Sequence, residues 1–266
     1  MILLACKAFC MNENEKHKIL YVTHEPGKYH KYTPQKTIFE SIAMDANWEV
    51  TYWTGEHEAQ IKRLRTKDFG LGFDAIVYNF CFAKSTDLEA AYNLMEQTRT
   101  HGIPALLIHC SMHSWWGTYK NLSKWNGKAH PKKNLVEEWE MKYPEKDFPV
   151  WGDFTGVASV KHDHKKPIEV TNVNREHPAT QNIGVGFTTV STELYDNYYI
   201  LDTVIPLAKG KQVNREGVEK EMVVFWECPQ GKSKILGLSL GHGIGEWGSK
   251  EFQNMVRDGV NYLAND

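Results

Sequence analysis

The chain carries no large surplus of either charge: 31 Lys and Arg face 33 Asp and Glu, a formal net charge of -2 over 266 residues. So small a net field draws a protein neither to nucleic acid nor to an anionic membrane. Nucleic acid is therefore excluded as a partner, and a small neutral or weakly charged ligand is expected. Nor does any apolar run approach the roughly 20 residues of a membrane-spanning helix, which excludes a membrane span of that kind. The opening "MILLAC" lacks the basic stretch and the length of a signal sequence. A cytoplasmic protein is the expectation. An exported lipoprotein is the alternative if the true start lies upstream, because "LLAC" ending at Cys6 looks like the end of a lipoprotein signal.

Cysteine is scarce as well. Cys6, Cys10, Cys81, Cys110 and Cys228 are odd in number and lack zinc-ribbon spacing, which reads as reduced thiols rather than a disulfide framework. There is no internal repeat and no linker long enough to divide the chain. The expectation is a flexible leader over 1–17 and a single domain over 18–266, with a surface excursion at about 117–150 rich in Lys, Trp, Glu and Pro.

Aromatic residues, by contrast, make up 12% of the chain and include 9 Trp, which suits clefts that stack on sugar rings as well as ordinary packing. Short apolar, β-branched runs, "KILYV", "WEVTYW", "FDAIVYNF" and "IPALLIH", alternate with helical patterns over Thr33 to Asp45, 57–68 and "STDLEAAYNLMEQTRTHG". The last of these has Ser85 or Thr86 as its expected cap and Gly102 after its end. Such alternation predicts a parallel sheet covered on both faces, with ligands bound beyond the carboxyl ends of the strands. One helix is expected around Asn134 to Met141. From Val157 the pattern turns β-rich, through "PIEVTNV", "FTTVSTELY", "YYILDTVIPLA", "EMVVFWEC" and "SKILGLSL", before a glycine-rich loop and a final amphipathic helix.

Polar, ligand-capable side chains gather at the predicted strand ends. His30 follows the first strand, His109 ends the fourth, and His242 lies between two glycines after the last. Glu193 in "TELY" interrupts a β-prone run and is the carboxylate best suited to acid or base work. His162 and His164 in "VKHDH" would share one face of a strand and could chelate a divalent metal such as zinc. His113, Trp115 and Trp116 follow His109 and could wall the pocket or pack. Cys110 raises the question of a hydrolase with His109 or His113 as base. A strained nucleophile turn favours small neighbours in a Gly-x-Cys-x-Gly type pattern, however, and the flanks here are Ile108, His109, Ser111 and Met112, with no glycine.

Taken in order, "KILYVTHEPGKYHKY", "PALLIHCSMHS", "FTGVASVKHDH", "REHPATQNI", "TELY" and "LGLSLGHGIGEWGSKEFQNMVRDGVNYL" resemble the ThuA-like family, named for trehalose utilisation, of the class I glutamine-amidotransferase-like superfamily. The resemblance runs from about Lys18 to Leu263. It implies a flavodoxin-like three-layer α/β sandwich with a mainly parallel sheet and a β-rich C-terminal half. His109 would stand where amidotransferases carry their cysteine, so no glutamine hydrolysis is implied. The implied pocket is His30, His109, Glu193, Tyr195 and His242, with His162 or His164, and the implied chemistry is hydrolase or lyase processing of a 3-keto-glycoside or related disaccharide. His109, His242 and Glu193 would be catalytic, and His30, Tyr195, His113, Trp115 and Trp116 would contact substrate. On chemical grounds, a divalent metal held by two or three of these histidines and Glu193 could polarise the ketone; otherwise no cofactor is expected. The alternatives are a non-catalytic sugar-binding or scaffold module and the Cys110 hydrolase; a homo-oligomer is compatible with any of them. The first loop, "THEPGKYH", departs from the family's more glycine-rich form, and the 117–150 excursion is unusually long.

Overall fold

The computed structural model describes residues 16–120 and 129–266. Most of the expected leader and the middle of the excursion lie outside these residues. Strand β1 (Lys18–Val22) leads into helix α1 (Tyr32–Asp45), β2 (Glu49–Trp53) into α2 (His57–Leu64), and β3 (Ala75–Tyr78) into α3 (Leu88–Arg99). β4 (Ala105–Ile108) follows, then α4 (Lys133–Lys142) and α5 (Trp151–Thr155). The second half contributes β5 (Val157–Ala158), β6 (Glu169–Asn172), β7 (Gly186–Thr188), β8 (Tyr199–Ile200), β9 (Ile205–Val213), β10 (Glu219–Gln230) and β11 (Ser233–Leu238), and closes with α6 (Ile244–Trp247) and α7 (Lys250–Ala264).

Nine strands form one sheet in the order β2-β1-β3-β4-β11-β10-β9-β6-β7. β2, β1, β3, β4 and β11 are mutually parallel, and the remaining strands join antiparallel. β1 shows why the sheet is covered twice. Successive side chains leave a strand on opposite faces: Ile19 and Tyr21 pack with Phe39 of α1 and Val256 of α7, whereas Leu20 and Val22 pack with Ile61 of α2 and Leu94 of α3. The result is the flavodoxin-like three-layer α/β architecture, a mainly parallel N-terminal sheet continued by β-rich chain. No helix of the described residues is long and apolar enough to cross a membrane.

Several local expectations are corrected. Asp87, not Ser85 or Thr86, caps α3, its carboxylate accepting from Ala90 N at 3.0 Å. "FTTVSTELY" is a strand only as far as Thr188; Thr192 and Tyr195 instead make isolated bridges to Lys166 and His162. "YYILDTVIPLA" breaks into β8 and β9.

For the site, the decisive pairing is β4 with β11. Their parallel register sets Ile108 beside Leu238, so the chain leaves both strands at the same edge, with His109 next to Ser239 and His242 three residues further on.

Candidate functional site

His109 takes φ +48°, a left-handed conformation uncommon in non-glycine residues and often found where a side chain is re-aimed for function. It opens a short 3-10 turn, His109–His113. The strained residue after the strand is thus the histidine, and Cys110 is not in that position. Gly241 (φ +106°) makes the matching turn after β11, and a Cβ there would lie 2.8 Å from the Phe252 ring. Buried amides hold this turn: Asn79 Nδ2 donates to Tyr21 Oη at 2.8 Å and to Gln35 Oε1 at 2.9 Å, and Gln35 Nε2 donates to the His242 carbonyl at 3.2 Å. His30, on the loop after β1, completes a triangle of imidazoles. Its ring is 4.8 Å from that of His109 and 4.9 Å from that of His242, both near perpendicular.

A second group of residues reaches the triangle from outside the parallel sheet. Segments 159–166 and 192–196 lie against each other through the His162–Tyr195 and Lys166–Thr192 bridges and bring Glu193 over the imidazoles. Its carboxylate lies 3.2 Å from His242 Nδ1, 3.4 Å from His109 Nε2, 3.3 Å from His162 Nε2 and 3.5 Å from Lys165 Nζ. His109 Nδ1 donates to the Ser239 carbonyl at 2.7 Å, and its Nε2 faces both the Tyr195 hydroxyl at 2.8 Å and the Glu193 carboxylate. His113 stacks on Tyr195 with ring centroids 3.7 Å apart, and its Nε2 lies 2.8 Å from Ser159 Oγ.

The electrostatics follow from this crowding. Burial opposes ionisation of Glu193, but the adjoining His109 and His242 imidazoles outweigh it and hold the carboxyl well below the usual carboxylate range. Burial, reinforced by His109 and His242, pushes His30 down to about 3, so it is a neutral imidazole at pH 7. Burial and the neighbouring His109 and His162 likewise lower His113. Tyr195 is raised by burial and by the Glu193 charge, and remains a phenol.

These groups surround a cleft of about 410 Å³ lined by Tyr29, His30, His113, Trp116, Lys161, His162, Lys165, Glu193, Tyr195 and His242, among others, a volume typical of small-molecule sites (~300–1,000 Å³). His109 lies just beneath, 2% exposed. A larger cleft, about 680 Å³, lies between α2 and α4, where Arg65 pairs with Asp87 at 2.6 Å and Lys142 with Glu89 at 3.2 Å. No comparable set of groups converges there.

Two expected site residues lie elsewhere. Trp115 is 1% exposed, packs on Phe82 and Trp151 and donates from Nε1 to the Asp87 carbonyl at 2.8 Å; it is core, and Trp116 walls the cleft. His162 and His164 do not form a metal pair, because this segment bends instead of continuing as a strand. His162 reaches Glu193, while His164 pairs with Asp163 at 3.1 Å. Among the described residues the potential metal group is His30, His109 and His242, whose candidate ligand atoms all lie within 4.8 Å of one another. The thiol expectation changes too: Cys81 and Cys110 are joined as a disulfide, so Cys110 offers no nucleophilic thiol, and Cys228 is the free cysteine of the described residues, buried.

Some residues that build the site have no strong signal in sequence. Lys165 Nζ lies 2.5 Å from His242 Nε2, yet it reads as one more lysine in "VKHDHKKP". Glu246, 3% exposed, accepts from Thr192 Oγ1 at 2.6 Å and from Gly241 N at 3.2 Å, tying the Glu193 segment to the His242 turn. Its position three residues after Gly243, as in a helix-capping box, is the one hint available.

Comparison with known proteins bears on the fold and the family. The fold is shared with a ThuA-like protein from Bacteroides uniformis (TM-score 0.63, 14% identity, 96% of this chain and 95% of that one) and another from Parabacteroides merdae (0.67, 12%, 94% and 90%). It also matches a Thermoplasma acidophilum protein described as part of a GMP synthase (0.52, 10%, 94% and 96%). No curated protein matches the chain. The model of the ThuA family, described as trehalose utilisation, matches residues 18–263, and the chain belongs to that family.

Proposed function

We propose that this protein processes a 3-keto-glycoside or related modified disaccharide, with the His30, His109 and His242 imidazoles holding a divalent metal beside Glu193. Membership of a family described by trehalose utilisation supports a role in sugar utilisation. The observation that carries the finer reading is the convergence of three imidazoles and one buried carboxylate at the carboxyl ends of parallel strands. The donor set fits a metal such as zinc. His109 has its Nδ1 fixed on a backbone carbonyl, the usual support of a ligating imidazole. His30 is neutral, and His242 Nδ1 is buried near Glu193 Oε2 without the alignment of a hydrogen bond. When bound, such a metal polarises a ketone oxygen.

The chain's own groups handle the protons. A ketone acidifies the neighbouring C–H. Glu193, kept ionised, accepts that proton, and His162, the more exposed imidazole beside it (34% against 19% for His242), passes it to solvent. The electron pair left on carbon expels the glycosidic oxygen, which takes a proton from the Tyr195 phenol, and addition of water to the resulting enone completes hydrolysis. Tyr29 and Trp116 supply aromatic walls for a sugar ring.

A second reading dispenses with the metal: Lys165, 2.5 Å from His242 Nε2, supplies the positive charge and His242 acts as base. Elemental analysis of the purified protein, with turnover of 3-keto-glycosides by the wild type and His30→Ala, tests both. One divalent metal per chain, lost with turnover in His30→Ala, supports the metal site. Turnover without metal supports the second reading, and no turnover of any keto-glycoside overturns both.

A further inference from the structure

We infer that the cleft selects an acidic sugar, one whose carboxylate meets Lys165 and Lys161. The inference rests on reading this cleft as a sugar site and specifies its substrate class. The whole chain is weakly acidic, but the cleft is not. Its charged lining consists of Lys161, Lys165 and a single carboxylate, Glu193. Glu193 is flanked by His109, His162, His242 and Lys165 at 3.2–3.5 Å, so its charge is offset within the cleft. Lys165 still has a donor to offer. An ammonium has three donors; one lies on His242 Nε2 and one toward Glu193, which leaves one for a ligand. Lys161 pairs with Asp196 at 3.7 Å and lies over the Tyr198 ring at 5.7 Å, and its side chain is 62% exposed.

These lysines are not on a loose surface loop. The Asp196 N–H donates to the Lys161 carbonyl at 3.0 Å, and Lys166 and Thr192 exchange two backbone hydrogen bonds at 3.0 and 3.1 Å. Both ammonium groups are therefore carried on a backbone pinned at each end, in a cleft that Trp116 and Tyr29 also line. A ring stacked on these aromatics with a carboxylate at its edge would place its charge beside the two cations, where a charge-assisted hydrogen bond is roughly twice as strong as a neutral one.

Calorimetry with two matched pairs tests this directly: methyl β-D-glucuronide against methyl β-D-glucoside, and lactobionate against lactose. At least one acidic member is expected to bind ~10- to 100-fold more tightly than its neutral partner, the range of a hydrogen bond to a charged group. The gap is expected to shrink in Lys165→Met and Lys161→Met and to close in the double variant, with circular dichroism confirming the fold. Closure in the lysine variants separates a lysine contact from a carboxylate bound to metal. Equal affinities within both pairs, or a gap that survives the double variant, would overturn the inference. Because the readout is binding, a protein that prefers acidic sugars but turns over no keto-glycoside would refute the reaction and leave the ligand class standing.

Discussion

The two parts of the site are built differently. His30, His109 and His242 follow regular strands of the parallel sheet, and their positions are set by register and by two left-handed turns. Glu193, Tyr195, His162 and Lys165 come from two irregular segments that pair with each other through isolated bridges. The first group is placed by secondary structure, the second by tertiary pairing. The strand ends therefore supply a rigid frame, and the paired segments supply the charge and the substrate-facing surface.

Mutations can break this division in order of severity. Glu193→Gln is expected to lower turnover of a 3-keto-glycoside by ~10²–10⁴, the usual worth of a positioned acid or base, and His109→Ala to lower it comparably by removing a metal ligand; steady-state kinetics would check this. A loss in only one of the two would mean that one part suffices. Trp115→Ala should separate framework from surface, costing about 3–5 kcal/mol of stability by denaturant unfolding. Trp116→Ala should leave the midpoint nearly unchanged and weaken sugar binding.

A pH series should sharpen the contrast from the framework side. Burial, with His57 nearby, lowers His24 to about 4, while its unfolded value is the ordinary ~6.5. Between those values the unfolded chain binds more protons, so stability is full above about pH 6.5 and is lost as pH falls toward 4. His24→Gln should flatten that slope in thermal melts at pH 4, 5, 6 and 7. The smallest effect is expected for Glu246→Gln: because Glu246 joins the two parts without touching the cleft, kcat should fall by less than about tenfold, with tryptophan fluorescence and circular dichroism unchanged.

Legibility in sequence follows the same division. The strand-end histidines could be read from sequence because apolar runs mark where strands stop and the ligand edge of a parallel sheet is known in advance. Glu193 stood out in sequence only as a carboxylate in a β-prone run and Tyr195 only through family resemblance, since their segment is not the strand its composition suggests. Trp115 and Trp116 show the limit most plainly: adjacent and chemically identical, one is core and the other wall, because a φ of +54° at Trp115 turns the chain between them. The Cys81–Cys110 pairing joins residues 29 apart, a proximity that neither spacing nor cysteine count reveals.

A double-mutant cycle between His109 and Glu193, read as kcat/KM on a 3-keto-glycoside, tests most directly whether frame and paired segments form one catalytic unit. If they do, the losses overlap and His109→Ala/Glu193→Gln is about as slow as the slower single variant. Losses that multiply would mean that the two residues act independently, and would contradict a single site.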